Sequence, residues 1–282
     1  MRKIAWVTDG TAVLDEELQN HPDLYIVPLS VILDGEVYTE GVDLTAEELY
    51  AKLKVLSEPP KTSQPAIGAF KELYEKLAEE YDEIIAILLS QKLSGTLDSS
   101  EQASKLLEKP VTNINSKILT YPQTALIKKG MTLAREGASV QEIKQKLEEI
   151  RDRNETYVLI GSLEQLHRSG RMSSAKFYLG SLLKVKPIIS IQDGALEVTE
   201  KARSEKKAKE KIFSHLREAY KRNKITEVWL LYGLYPQTAN EWKRELEAEF
   251  TEIQFSCYPL GAVIGVHAGE DTIGISWYNE LQ

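Results

Sequence analysis

Thr62 and Ser63 stand in Pro59-Pro60-Lys61-Thr62-Ser63-Gln64-Pro65-Ala66, a stretch whose residue types suit anion binding. Two prolines stiffen the approach and keep the residue before each of them out of the helical region. Thr62 and Ser63 then present hydroxyls just ahead of a predicted helix. Ser63 or Gln64 is the expected cap, and Pro65 suits the first turn because it has no N–H to leave unpaired. Hydroxyls and free amides at such a terminus favour a small anion. A second set of hydroxyls, in Leu93-Ser94-Gly95-Thr96, follows an apolar run. His267 lies in Gly265-Val266-His267-Ala268-Gly269, where small residues would let backbone approach a ligand. Neutral hydroxyls, turn amides and one imidazole suit a single carboxylate better than a polyanion.

Other chemistries fit less well. The four histidines, His21, His167, His215 and His267, lack metal-ligand spacing, so no metal is expected. No P-loop or dinucleotide glycine pattern occurs, and no cofactor is called for. A Ser94, His267 and Asp9 triad can be drawn, giving a Ser94-dependent acyl-ester hydrolase as the alternative. The glycines of a nucleophile elbow are missing around Ser94. Arg171, between Gly170 and Met172, reads as a basic residue in a turn. The run Lys201, Arg203, Lys206, Lys207, Lys209 and Lys211 alternates with acids and reads as a solvated helix face.

The elements that must carry these groups follow from the pattern. Ile4 to Thr8 and Glu83 to Ser90 are buried-strand runs, each ending in a polar turn. Asp34-Gly35 and Asp193-Gly194 are hairpin signals. Thr45-Ala46-Glu47-Glu48 and Ser139-Val140-Gln141-Glu142 are capping boxes opening helices to about Leu56 and over 140–153. Helices are expected over the apolar spacing Ile67, Phe70, Leu73, Tyr74 and Leu77, and near 96–107, 122–136, 174–183, 204–222 and 237–250. Strands are expected at Val111 to Ile114, Tyr157 to Ile160, Val228 to Tyr232, Ile253 to Tyr258 and Ile273 to Trp277. The fold class is therefore α/β in two domains. Residues 1–154 form a three-layer α/β/α unit with a mainly parallel sheet, carrying Thr62 and Ser94. Residues 155–282 form an α/β unit with a mixed sheet, carrying Arg171, Arg203 and His267.

At 282 residues the chain can bury a large core. A net charge of −8 argues against a nucleic-acid or anionic-membrane surface. The single cysteine, Cys257, excludes an intrachain disulfide and fits a reducing compartment; it is expected in the core. With no signal-peptide core and no span of transmembrane length, the expectation is a cytoplasmic protein without stable membrane insertion.

Taken together, several stretches resemble the DegV family of bacterial fatty-acid-binding proteins. They are Val7-Thr8-Asp9-Gly10-Thr11-Ala12, Thr62-Ser63-Gln64-Pro65-Ala66, Leu93-Ser94-Gly95-Thr96 and Gly170-Arg171-Met172-Ser173. Leu183-Lys184-Val185-Lys186-Pro187-Ile188, Lys201-Ala202-Arg203 and Gly265-Val266-His267-Ala268-Gly269 complete the ordered set. The resemblance implies two α/β domains around a tunnel holding one fatty acid such as palmitate. It implies a carboxylate held by Thr62 and Ser94, beside His267, with Ser63, Gly95 and Thr96 in the same loops. It assigns Arg171 and Arg203 to a partner or phosphotransfer role. It further implies a non-catalytic subunit that serves a separate ATP-binding fatty acid kinase subunit, whose acyl phosphate feeds phospholipid synthesis. The chain departs from the family pattern at Gly10, at His167-Arg168-Ser169 and at Glu270-Asp271, two carboxylates expected near the mouth.

Overall fold

Residues 2–39, 41–172 and 185–281 are described by the computed structural model; the helix expected near 174–183 lies outside them. The chain opens with β1 (Ile4–Asp9), whose six residues are all buried. A loop leads to β2 (Leu24–Val27), β3 (Ser30–Leu33) and β4 (Glu36–Thr39). β3 and β4 form the expected hairpin: Asp34 and Gly35 have φ of 47° and 86°, the paired positive values of a tight primed turn. α1 (Ala46–Leu53) starts at the reciprocal Thr45/Glu48 capping box.

The next segment corrects the sequence reading. Lys61–Ser63 is a strand, β5, with Thr62 opposite Val31 of β3. α2 (Ile67–Glu80) begins at Ala66 and has no side-chain cap. Ser63 donates instead to the Gln64 carbonyl, and the Gln64 amide reaches Ser99 Oγ at 2.9 Å. Pairing with β3 directs the hydroxyls away from the helix end and into the space beside the sheet.

β6 (Glu83–Leu88) follows, then α3 (Thr96–Ser104), β7 (Val111–Asn115), α4 (Tyr121–Arg135) and α5 (Val140–Arg151). The strands β2-β1-β6-β7 make one parallel sheet. Phe70, Tyr74 and Leu77 of α2 and Leu97 and Ala103 of α3 bury one face. Leu126, Ile127, Ile143 and Leu147 of α4 and α5 bury the other. Coverage on both faces explains the continuous apolar runs in β1 and β6.

β8 (Asn154–Leu159), the short α6 (Leu163–Arg168), β9 (Lys186–Gln192) and β10 (Ala195–Ala202) come next. α6 replaces the irregular turn expected there; Ser162 caps it by accepting from the Gln165 amide. α7 (Glu205–Tyr220), β11 (Glu227–Tyr232), α8 (Pro236–Glu249), β12 (Gln254–Pro259), α9 (Ala262–Ala268) and β13 (Ile273–Tyr278) close the chain. The order β10-β9-β8-β13-β11-β12 is antiparallel except between β11 and β12. α7 and α8 pack on one face through Ile212, Leu216, Trp242 and Leu246. Against the other face lies the start of α4. Tyr121 stacks on Tyr258 with ring centres 3.6 Å apart, and Tyr278 donates to the Pro122 carbonyl at 3.0 Å. Cys257 is half-buried at this edge rather than in the core, and burial raises its thiol pKa.

The glycine-rich tail is the second correction. It forms helix α9, not a loop. Gly265 is needed for contact, since a Cβ there would sit 2.5 Å from Tyr50 Oη. Gly269, at φ 87°, ends the helix. Among the described residues no helix is long and apolar enough to cross a membrane.

Candidate ligand-binding site

The mixed sheet, the three-stranded β4-β3-β5 sheet, α9 and the turns that follow strands of the parallel sheet contribute residues to one cavity of about 300 Å³, within the range of small-ligand sites. Its apolar wall comes from strands. Val158 and Ile160 alternate with buried Leu159 at the end of β8, and Ile191, Leu196 and Leu231 continue the face. Leu29, Leu89, Leu93, Ile118 and Leu260 complete much of the lining.

The polar end is built from three distant segments. β5 supplies Thr62, held in register by β3. α9 packs its Val263 and Val266 against Val31 and Leu49 in a small core and turns His267 toward the cavity. Thr62 Oγ1 and His267 Nε2 meet at 2.8 Å. The turn after β6 supplies Ser94 and Gly95, both lining the cavity. Ser94 Oγ lies 2.9 Å from Thr96 Oγ1 and accepts from the Thr96 amide at 3.3 Å. Gly95 packs closely on Gln64: a Cβ there would come within 2.2 Å of Gln64 Oε1, so that side chain would have to move.

Arg171 also reaches the cavity. It is half-buried, not solvent-facing, and its guanidinium donates to the Ser169 carbonyl at 2.6 Å and the Leu93 carbonyl at 3.4 Å. Among the described residues it has no carboxylate partner within ion-pair distance. Burial lowers its pKa. Burial, and then the Arg171 charge, take His267 down to about 4, so the imidazole is neutral at pH 7. The cavity end thus combines hydroxyl donors, a neutral imidazole and one guanidinium that has no ion-pair partner among the described residues, a set matched to one carboxylate.

Not every residue singled out in the sequence belongs here. Ser63 lines the cavity although exposed, but Thr96 is buried beneath it and does not line it. Arg203 is exposed in the turn between β10 and α7, away from the lining. Glu270 and Asp271 do not border this cavity; Glu270 faces Lys54, with Nζ at 3.1 Å. The hydrolase triad is not assembled. His267 bonds Thr62, Ser94 bonds Thr96, and Asp9 is occupied elsewhere. The Asp9 carboxylate accepts from Thr11 N and Oγ1, from Leu89 N and from Gln123 Nε2. Burial raises its pKa against the lowering effect of those donors. Gln64, read in the sequence only as a candidate cap, also lines the cavity, as do Thr120, Thr156 and Thr272, which were not singled out. Only Thr156 had a legible signal, its alternation with Val158 along β8.

A family model described as "Uncharacterised protein, DegV family" matches residues 3–280. The chain belongs to the DegV family. A DegV domain-containing protein of Halalkalibacterium halodurans is 37% identical over 282 residues, covering 99% of this chain and 100% of the relative. A solved structure described as fatty acid binding of a DegV family protein from Thermus thermophilus aligns with TM-score 0.91 at 31% identity. That alignment covers 98% of this chain and 99% of the other. The structure of DegV from Bacillus subtilis, described as a fatty acid binding protein, aligns with TM-score 0.89 at 33% identity, covering 99% and 100%. The α/β architecture, one parallel and one mixed sheet, is thus a DegV fold, and the family resemblance read from the ordered motifs holds.

Proposed function

We propose that this protein binds one long-chain fatty acid, with its tail in the apolar cavity and its carboxylate at Thr62 and Ser94 beside His267. The observation that carries the reading is the Thr62–His267 pair in a cavity whose strands contribute Val158, Ile191, Leu196 and Leu231 to the lining. The description of related DegV structures as fatty-acid-binding supports it. Burial of ~15 methylenes at about 0.8 kcal/mol each gives roughly 12 kcal/mol before costs. Ordering the ligand removes several kcal/mol of this. The tail therefore supplies affinity, and the head-group donors supply orientation.

The chain itself is a binding subunit that works in the cytoplasm and presents the carboxylate to a separate ATP-binding kinase subunit. A carboxylate oxygen attacks the γ-phosphorus, the bond to the β-phosphate oxygen breaks, and acyl phosphate and ADP result. The acyl phosphate serves phospholipid synthesis. Arg171, a cation of the site with no ion-pair partner among the described residues, balances the charge of carboxylate and product; Arg203 is left to partner contact on the surface. The two-domain division at 154/155 falls at the first residue of β8, Asn154; the parallel sheet draws its strands from before that point and the mixed sheet from that residue onward, which supports a boundary close to it.

The test is the Thr62→Ala, Ser94→Ala double variant. Its Kd for hexadecanoic acid should rise more than about tenfold through lost charge-assisted hydrogen bonds. Near-wild-type binding by that folded variant would refute the head-group assignment. With ATP and the kinase subunit, hydroxylamine should trap an acyl hydroxamate only when both proteins are present.

A further inference from the structure

Besides Thr62, four threonines line the cavity, and three of them are satisfied by the protein. Thr11 Oγ1 donates to Asp9, Thr156 Oγ1 donates to Asn154 and meets Ser276, and Thr272 Oγ1 donates to the Ala268 carbonyl. Thr120 differs. It is 3% exposed, lines the cavity, and its hydroxyl has no hydrogen-bond partner. Its backbone sits at φ 64°, ψ −150°, a region otherwise kept largely for glycine and costly for a β-branched side chain. It precedes α4 without capping that helix by its side chain. A threonine that neither caps nor bonds its surroundings, in a conformation glycine would adopt more easily, has no structural reason for its hydroxyl. Buried hydroxyls are as a rule paired; Tyr50 Oη is also unpaired, but of the two only Thr120 lines this cavity, where a ligand oxygen could pair with it.

We infer that Thr120 forms a second polar subsite that reads an oxygen carried on the acyl chain, a hydroxyl or keto group, apart from the carboxylate. The inference rests on the fatty-acid reading above and adds to it a ligand class, the oxygenated fatty acids. A hydroxyl both donates and accepts, so either oxygen type completes the bond. An unsubstituted chain leaves Thr120 unpaired, whereas a correctly placed oxygen removes that penalty. The other cavity threonines have their donors committed and do not compete for it.

The experiment measures Kd for hexadecanoic acid and for a positional series of monohydroxylated hexadecanoic acids, on wild type, Thr120→Val and Thr120→Ser. Valine keeps the shape and removes the hydroxyl; serine keeps the hydroxyl and relieves the crowding. For one position of the hydroxyl, Thr120→Val should weaken binding by about tenfold more than it weakens the plain acid. Thr120→Ser should retain the wild-type preference, which also guards against a poorly folded valine variant. If Thr120→Val changes every ligand by the same factor while the plain acid still binds, water alone serves this hydroxyl and the inference is overturned. If no acid of the series binds wild type, the fatty-acid reading fails and this inference falls with it.

Discussion

Thr62 Oγ1 lies 2.8 Å from His267 Nε2 although 205 positions separate them. β5 and α9 are held together by one small core that includes Val31, Leu49 and Val266. The Thr62–His267 pair is therefore held by packing of the protein itself, and for the proposed carboxylate this lowers the ordering cost of binding.

A first prediction concerns the charge of that imidazole. Burial, then Arg171, set its pKa near 4, against about 6.5 in the unfolded chain. Between these values the unfolded chain takes up a proton that the folded one refuses. Stability from this group is therefore intact above about pH 6.5 and is lost as pH falls toward 4. A carboxylate placed beside the ring favours its charged form and raises the pKa. NMR titration of the imidazole should give a midpoint near 4 without ligand and a higher one with saturating fatty acid. A midpoint unmoved by ligand contradicts the assignment.

Arg171 provides an independent check. Arg171→Gln removes the charge that helps depress His267, so the ligand-free imidazole midpoint should rise. The same variant should weaken fatty-acid binding by about tenfold, the scale of one charge-assisted contact. A rise in midpoint without weaker binding would place the guanidinium outside the carboxylate site.

Much of this was legible in the sequence because local signals agreed with tertiary ones. The apolar runs of β1 and β6, both capping boxes and both Asp-Gly hairpins appear where their residue types demand. Two elements did not follow. Ser63 or Gln64 reads as a cap because polar side chains before a helix usually are; the pairing of this segment with β3, Thr62 opposite Val31, is a tertiary choice. Gly265 reads as loop because its packing partner, Tyr50, is remote in the chain. The candidate site residues Thr62, Ser94 and His267 stood out in the sequence by their residue types and spacing, whereas Thr120 drew no reading there. Its backbone conformation and its unpaired hydroxyl are visible only in three dimensions.

Asp9 acts as a strut under the site. Each of its oxygens accepts two donors, Thr11 N and Oγ1 on one and Leu89 N and Gln123 Nε2 on the other. Asp9→Asn turns an NH2 toward two donors in either orientation. The folded state should lose about 2 kcal/mol or more, read from denaturant unfolding at neutral pH. An unchanged unfolding midpoint would mean that the network is not required.

Gly95→Ala separates affinity from stability. The new Cβ meets only the flexible end of Gln64, so melting temperature should change little. Gln64 must leave Ser99, and the β5 hydroxyls beside it shift. Fatty-acid Kd should rise several-fold at nearly constant Tm. A large drop in Tm with unchanged affinity of the folded fraction would reverse that ordering.

Native mass spectrometry of the purified protein, followed by organic extraction, bears most directly on the central claim. The account predicts one non-covalent fatty acid per chain, released on denaturation and absent from the Thr62→Ala, Ser94→Ala variant. A protein that emerges empty and stays empty with added fatty acid, or that carries an acyl group bonded to Ser94, contradicts it.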